Sequence, residues 1–298
     1  MNIDVFFNHW KGRGQNFQKT PFLLALLGIS LIIVHLSMIW RVNALNFWGL
    51  SLIFWCAVAS SIWDKRQGLK LESDFFSTHF AIALLIPLLI KSVFLITHST
   101  SSLYLFPIGA SVCLALLASG FRGLFQYKRE FLIILILCAI APITALLTRF
   151  DPSPLTAKLA SYLLWYAGFS FVRQGVNIYF QGSTSGIEVY PGCSGLNTMI
   201  EMLSLTLLFF LMFPTRWKTK VILPLGAVAI GFVMNALRVA LLGVIVAYHN
   251  RVGFDYWHAG EGSLVFSLIS MSLLCALAYF LSQFWDTTTF STQQEDYE

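Results

Sequence analysis

Residues Val221–Tyr248 read VILPLGAVAIGFVMNALRVALLGVIVAY, a run whose one charged side chain is Arg238. A helix needs about 20 apolar residues to cross the roughly 30 Å hydrocarbon core of a bilayer, so this run predicts a membrane-spanning helix. Seven other runs have the same character. The eight predicted spans are Phe22–Ile39, Leu45–Trp63, Phe75–Ile96, Leu103–Ser119, Phe131–Leu147, Leu196–Phe213, Val221–Tyr248 and Ser263–Phe284.

The composition of the chain excludes a soluble globular domain. Of its 298 residues, 57% are hydrophobic and only 11% are charged, whereas a soluble domain has roughly a quarter of its residues charged. We therefore predict an all-α polytopic membrane protein of about eight helices, surrounded by lipid and without a nucleic-acid partner. The less apolar segment Leu155–Val172, which contains Lys158 and Ser161, is typical of a short or interfacial helix.

The placement of Lys and Arg predicts the orientation in the plasma (inner) membrane, because cytoplasmic loops are the basic ones. With both termini in the cytoplasm and Leu155–Val172 not crossing, every inner segment carries about three basic residues. The long segment before Leu196 and the loop Asn250–Gly262 then lie outside. The inner residues are Lys11, Arg13, Lys19, Lys65, Arg66, Lys70, Arg122, Lys128, Arg129, Arg216, Lys218 and Lys220, and the outer ones are Arg41, Arg149, Lys158, Arg173 and Arg251.

Polar residues divide the chain into three predicted parts. Residues 1–148, with five spans and few polar side chains, form a membrane scaffold. Residues 149–285 form a catalytic membrane region with three spans and an extracytoplasmic segment, and residues 286–298 form a disordered cytoplasmic tail. Within the second part, Ser170–Pro191 alternates β-branched and aromatic residues around Gly182–Gly186, which predicts a short β-hairpin before the helix that begins at Leu196.

Cys193 is the one cysteine outside the apolar runs, in Pro191-Gly192-Cys193-Ser194-Gly195. The other four lie within predicted spans, where a thiol usually behaves as a small hydrophobe. Cys193 precedes a helix N-terminus, where the dipole favours an anion and free N–H groups can receive an oxyanion. The motif is compatible with a nucleophile and equally with a helix cap that contains an incidental cysteine.

Arg238 is an intramembrane charge, which costs at least ~2.5–3.5 kcal/mol on insertion scales and so indicates a function. Helix geometry places it in the outer half of the bilayer with Asn235 one turn away on the same face. Glu201 lies at a similar depth, in a stripe with Asn197 and Ser204. A structural Arg238–Glu201 ion pair and a catalytic cation therefore both remain open.

His258, in the outer loop, is the histidine that converges with Cys193 and Arg238 at the outer leaflet. His9 is cytoplasmic, His35 and His79 lie in spans without an evident partner, and His98 is far along the chain. No His or Cys pair has metal-ligand spacing, and no phosphate loop or nucleotide fingerprint occurs. We expect no metal and no cofactor.

The order Cys-Ser-Gly-Leu at Cys193–Leu196, Asn-x-x-Arg at Asn235–Arg238, and His258 followed by Gly262 resembles the exosortase/archaeosortase family, and most closely a cyanobacterial exosortase (cyanoexosortase). The resemblance is most specific over about Val176–Phe284. It implies a membrane cysteine protease or transpeptidase, with the family's catalytic Cys, Arg and His on Cys193, Arg238 and His258. We add Ser194, Gly195, Asn197, Glu201 and Asn235 as expected substrate-binding or supporting residues.

The implied substrates are secreted proteins with a C-terminal sorting signal of the PEP-CTERM type, namely a short Pro-containing motif, a span and a basic tail. Cleavage at the outer leaflet would pass through an acyl-thioester, followed by transfer to an acceptor such as a glycan or a lipid. The competing class is a transporter or channel that uses the Glu201/Arg238 pair. A membrane assembly scaffold is a third, weaker hypothesis.

Overall fold

The computed structural model describes residues 3–42, 44–94, 100–181 and 185–295. The chain forms two compact units, residues 1–139 and 140–298. The division falls inside a helix, whereas the sequence predicted it at the loop after residue 148. Loops are the visible boundaries in a sequence, but packing between helices need not follow helix ends. His98 and residues 182–184 of the predicted Gly/Ser turn lie outside the described residues.

The first unit contains long helices that follow the predicted spans. α4 changes direction at Gly120, which has a φ of 62° and ends its regular part. A 3-10 turn, Leu124–Tyr127, then leads into the next helix, whose second half belongs to the other unit. The helices are α1 (Ile3–Arg41), α2 (Leu45–Asp64), α3 (Phe75–Phe94), α4 (Thr100–Gly123) and α5 (Lys128–Leu147).

Two buried polar clusters tie the helices of the first unit together. The expectation that His35 lacks a partner is wrong: Trp55 donates to its Nδ1 at 3.1 Å, and its Nε2 lies 3.3 Å from the Leu103 carbonyl oxygen. Glu130 accepts from Ser61 and forms an ion pair with Lys65 at 2.5 Å. Such pairing lets polar groups lie among apolar helices, because an unpaired buried group would be costly.

The second unit combines helices with a small sheet. The predicted hairpin is part of a three-stranded antiparallel meander, since residues 171–174 add a strand before it. The helix α10 extends to Glu295, whereas the sequence predicted a disordered tail from residue 286. The elements are α6 (Ser153–Tyr166), β1 (Phe171–Gln174), β2 (Asn177–Phe180), β3 (Gly186–Glu188), α7 (Leu196–Met212), α8 (Trp217–Ala247), α9 (Arg251–His258) and α10 (Gly262–Glu295).

Two apolar clusters hold the second unit around α8. Small residues on one face of α6, Ala157 and Ala160, pack with β2 and with Val239 of α8. On another side α7 approaches α8 so closely that a Cβ at Gly231 would lie 2.9 Å from the Cα of Met199. α8 therefore connects the sheet, α6 and α7, and its second half is held beside the N-terminus of α7.

The chain is a multi-pass membrane protein. Among the described residues six segments are long and apolar enough to span a bilayer. One of them, 103–147, covers α4 and α5 and corresponds to two predicted spans, and α7, with 17 residues, is shorter than the other spans. α6 has 14 residues, about 21 Å, which is too short to cross and agrees with the prediction for Leu155–Val172.

Candidate active site

Cys193 ends a 3-10 turn, Pro191–Cys193, that leads directly into α7. Its N–H donates to the Tyr190 carbonyl oxygen at 2.8 Å, which closes the turn. Gly195, the N-cap of α7, has a φ of 91°, a left-handed conformation that glycine adopts without strain. The thiol is half-buried beside the helix N-terminus, as the sequence predicted.

His258 lies next to this thiol. Its Nε2 is 3.3 Å from the Cys193 Sγ, within the distance of a hydrogen bond to sulfur. The sequence predicted a loop at this position, but His258 is the last residue of α9, where its ring stacks on Phe254 at a centroid distance of 5.0 Å. The imidazole is therefore held more firmly than it would be in a solvated loop, because the stacked ring of Phe254 restricts its rotation.

Arg238 and Asn235 approach the same point from α8. An Arg238 Nη2 donates to the His258 carbonyl oxygen, and Asn235 Nδ2 donates to the Cys193 carbonyl oxygen at 2.8 Å. The Nε of Arg238 is buried and has no hydrogen-bond acceptor within the part of the chain that the structure describes. A guanidinium N–H without an acceptor, beside a thiol, can donate to a bound carbonyl oxygen.

Ser194 and Gly195 shape the turn. The buried Ser194 hydroxyl donates to the Pro191 carbonyl oxygen at 2.7 Å, and the Ser194 carbonyl accepts from Thr156 of α6 at 2.7 Å. A Cβ at Gly195 would lie 2.9 Å from Asn235 Nδ2. Both residues therefore help to position the cysteine turn.

Asn197 and Glu201 do not join the cluster. Asn197 is exposed, and its side chain makes no hydrogen bond to another described residue. Glu201 interacts electrostatically with Arg238, but the two side chains form no ion pair among the described residues. Ser204, of the same predicted stripe, donates to its own helix at the Ile200 carbonyl. The Arg238–Glu201 ion pair that the sequence left open is absent from the described structure.

Tyr190 is a site residue that the sequence analysis missed. Its side chain hydrogen-bonds with Cys193, and its ring centroid lies 6.5 Å from that of His258. The signal in the sequence was an aromatic hydroxyl three residues before the cysteine, with a glycine between them that admits the ring. A Cβ at Gly192 would lie 2.5 Å from the Tyr190 ring.

The surroundings change the proton affinity of two groups beside Cys193. The hydrogen bond to Cys193 raises the pKa of Tyr190 above its usual value, and partial burial adds to this. Burial lowers the pKa of His258; the positive charge of Arg238 lowers it further, and Asp255 opposes the shift. His258 is therefore neutral at pH 7, the form that can accept a proton.

A cavity of about 790 Å³ opens onto the thiol. It is large enough for a ligand of several residues. β3 forms one wall, the end of α8 and the polar face of α9 form the others, and Cys193, Tyr190 and His258 lie at its edge. No three His, Cys, Asp or Glu side chains among the described residues are grouped as metal ligands would be.

A comparison with protein-family models matches residues 40–275 to the transmembrane exosortases. The match covers more than half of the chain and includes every residue of the site. It does not separate the branches of that family, so the resemblance to the cyanobacterial branch stays a prediction. No curated protein and no solved structure matches the chain.

Proposed function

Because this chain belongs to the transmembrane exosortase family, we propose that it is a cysteine transpeptidase that cleaves the C-terminal sorting signal of secreted proteins. The observation that supports this most is the 3.3 Å contact between Cys193 Sγ and His258 Nε2. A thiol beside a neutral imidazole is the arrangement that activates a cysteine nucleophile. The role of Cys193 as a mere cap is less consistent with that contact.

In the first step, His258 takes the proton from Cys193 and the thiolate attacks the carbonyl carbon of the scissile peptide bond. A C–S bond forms and negative charge moves onto the carbonyl oxygen. When the intermediate collapses, the C–N bond breaks and the leaving amine receives the proton from His258. The N-terminal part of the substrate remains on Cys193 as an acyl-thioester.

In the second step, the nucleophilic group of an acceptor gives its proton to His258 and attacks the thioester carbonyl. The C–S bond breaks, the acyl group passes to the acceptor, and the proton returns to the thiolate of Cys193. A glycan hydroxyl or a lipid amine would complete transfer in this way, and water would give hydrolysis. The same imidazole thus acts as base and acid in both steps.

Arg238 supplies the positive charge in this scheme. Its guanidinium stays protonated, so it stabilises the thiolate and the developing oxyanion and is not a proton donor. The free Nε–H is available to the oxyanion. Tyr190 donates to the sulfur and orients it. Arg238 and Tyr190 thus supply the hydrogen bonds that water would otherwise give to the thiolate and the oxyanion.

The reaction belongs, in this proposal, at the extracytoplasmic face of the plasma (inner) membrane, with both termini in the cytoplasm. The basic clusters at Lys65–Lys70 and Arg216–Lys220 support that orientation. The alternative, a transporter or channel that uses the Glu201/Arg238 pair, receives less support because the two side chains form no ion pair among the described residues. The PEP-CTERM type of signal follows from the family resemblance.

Co-expression tests the proposal. A secreted reporter that ends in a Pro motif, an apolar span and a basic tail should be shortened by the wild-type chain. Cys193→Ala should reduce this processing by at least about 10³-fold, as loss of a nucleophile does in other enzymes. Cys56→Ala, in α2, is the matched control and should process normally. Normal processing by Cys193→Ala would exclude the enzyme in this form.

A further inference from the structure

β3 is one of the two edge strands of the sheet in the second unit. The strand order is β1-β2-β3, so β2 pairs with one edge of β3, and no other described strand pairs with the second edge. Gly186 and Glu188 are both exposed. An exposed edge is a ready template for another extended chain, because its backbone N–H and C=O groups are already aligned.

The hydrogen-bond pattern identifies which groups face that edge. Val189 N–H donates to the Val176 carbonyl at 3.1 Å, and Phe180 N–H donates to the Ser185 carbonyl at 3.3 Å. Bonded pairs alternate in an antiparallel ladder, so Ile187, opposite Ile178, also bonds to β2. The backbone N–H and C=O groups of Gly186 and Glu188, on either side of Ile187, therefore point away from β2.

This free edge borders the cavity that contains the nucleophile. Gly186, Glu188 and Cys193 all line the same space of about 790 Å³, and α9 forms the facing wall. Glu188 is five residues from Cys193 in the chain, so a peptide that follows the edge towards Val189 is led to the thiol. A peptide added to the sheet would lie about 4.8 Å from β3, the usual spacing of neighbouring strands. The cavity is large enough to hold an extended peptide at that spacing.

We infer that the substrate binds in extended form as a fourth strand on the free edge of β3, through the backbone N–H and C=O groups of Gly186 and Glu188. This inference rests on the proposed function and specifies how the same site holds its peptide. Backbone pairing of this kind is tolerant of sequence, while pockets for alternate side chains select among peptides. A proline fits only at positions whose N–H would point away from β3.

A pair of variants isolates one backbone hydrogen bond. Glu188→Pro removes the N–H that faces the edge and leaves the bonds of Ile187 to β2 in place, and Glu188→Ala removes only the side chain. With the reporter described above, Glu188→Pro should process about tenfold more slowly than Glu188→Ala, as expected for one lost hydrogen bond. Equal rates for the two variants overturn the inference.

Cross-linking tests the same pairing without relying on turnover. Glu188→Cys is combined with Cys193→Ala, and single cysteines are introduced along the reporter's Pro motif. Strand pairing predicts disulfides at every second reporter position, because alternate side chains share a face. Cys193→Ala alone measures the background of the remaining cysteines. Uniform or absent cross-links overturn the inference.

The two failures are distinguishable. If the wild-type chain processes the reporter but the cross-links show no alternation, the edge-strand inference fails and the proposed function stands. If the wild-type chain leaves the reporter intact, or Cys193→Ala processes it, the proposed function fails as well.

Discussion

At the scale of single residues, the structure brings three motifs that are dispersed in the sequence to one place around Cys193. The thiol, the imidazole of His258 and the guanidinium of Arg238 come from three different elements, yet they are linked by direct contacts or through one carbonyl group. Each element contributes one function. In the proposed mechanism, the turn before α7 presents the nucleophile, α9 presents the base, and α8 presents the cation.

Arg238→Lys separates catalysis from structure. The substitution keeps the positive charge but loses the planar fork with several N–H donors. If Arg238 donates to the oxyanion, the variant should accumulate normally and lose on the order of 10²–10³ in processing rate. The measurement is the initial rate of reporter shortening at matched enzyme levels.

Arg216→Lys is the control for that substitution. Arg216 is exposed at the other end of α8, 22 residues away, or about 33 Å along the helix. It should retain wild-type activity. Near-normal processing by Arg238→Lys would return Arg238 to a structural role.

At the scale of elements, the local pattern predicted helices well and the sheet in part. Long apolar runs specify helices because every backbone group must be paired inside the bilayer. β1 was not predicted because Phe171 and Val172 were included in the helical segment Leu155–Val172, and only pairing with β2 makes residues 171–174 a strand. The helix α9 was missed because eight residues with mixed polarity resemble a loop.

Gly195→Ala tests how the start of α7 holds the site. Alanine at a φ of 91° is strained, and its Cβ would meet Asn235, which donates to Cys193. Gly175→Ala is the matched control. That glycine also has a positive φ, of 62°, but an added Cβ would have no atom within 4 Å. We expect both to lose about 1–2 kcal/mol of stability, and only Gly195→Ala to lose most of its processing. Equal processing by the two variants would contradict a positioning role for the turn.

At the scale of the whole molecule, the sequence predicted three side chains that the structure brings together, Cys193, Arg238 and His258, but not all of their neighbours. Cys193, Arg238 and His258 were recognised because charge in a span and a lone loop cysteine are unusual. Asn197 and Glu201 were included because they share one face of a helix and because Glu201 is a charge within a span. Neither side chain hydrogen-bonds with Cys193, Arg238 or His258 among the described residues. Tyr190 and Thr156 were not predicted because their contacts depend on how the turn folds onto α6 and α9.

The Lys/Arg distribution makes a prediction about the membrane topology. Cysteines introduced at Lys218 should be inaccessible to an impermeant maleimide in intact cells, while cysteines at His258 should react. The physical reason is that basic loops stay on the cytoplasmic side during insertion. Both cysteines are introduced into a Cys193→Ala variant, so that Cys193 itself does not react with the reagent. Reaction at position 218 but not at 258 would overturn the proposed orientation.

In the proposed mechanism, Cys193 carries the N-terminal part of the substrate as an acyl-thioester. Purified enzyme mixed with the reporter, without an added acceptor, is quenched in acid and its intact mass is measured. The mass of the enzyme should increase by the mass of the N-terminal reporter fragment bound as an acyl group. Digestion should map this adduct to Cys193, and hydroxylamine should release it. Processing of the reporter without such an adduct, together with undiminished processing by Cys193→Ala, would contradict the account.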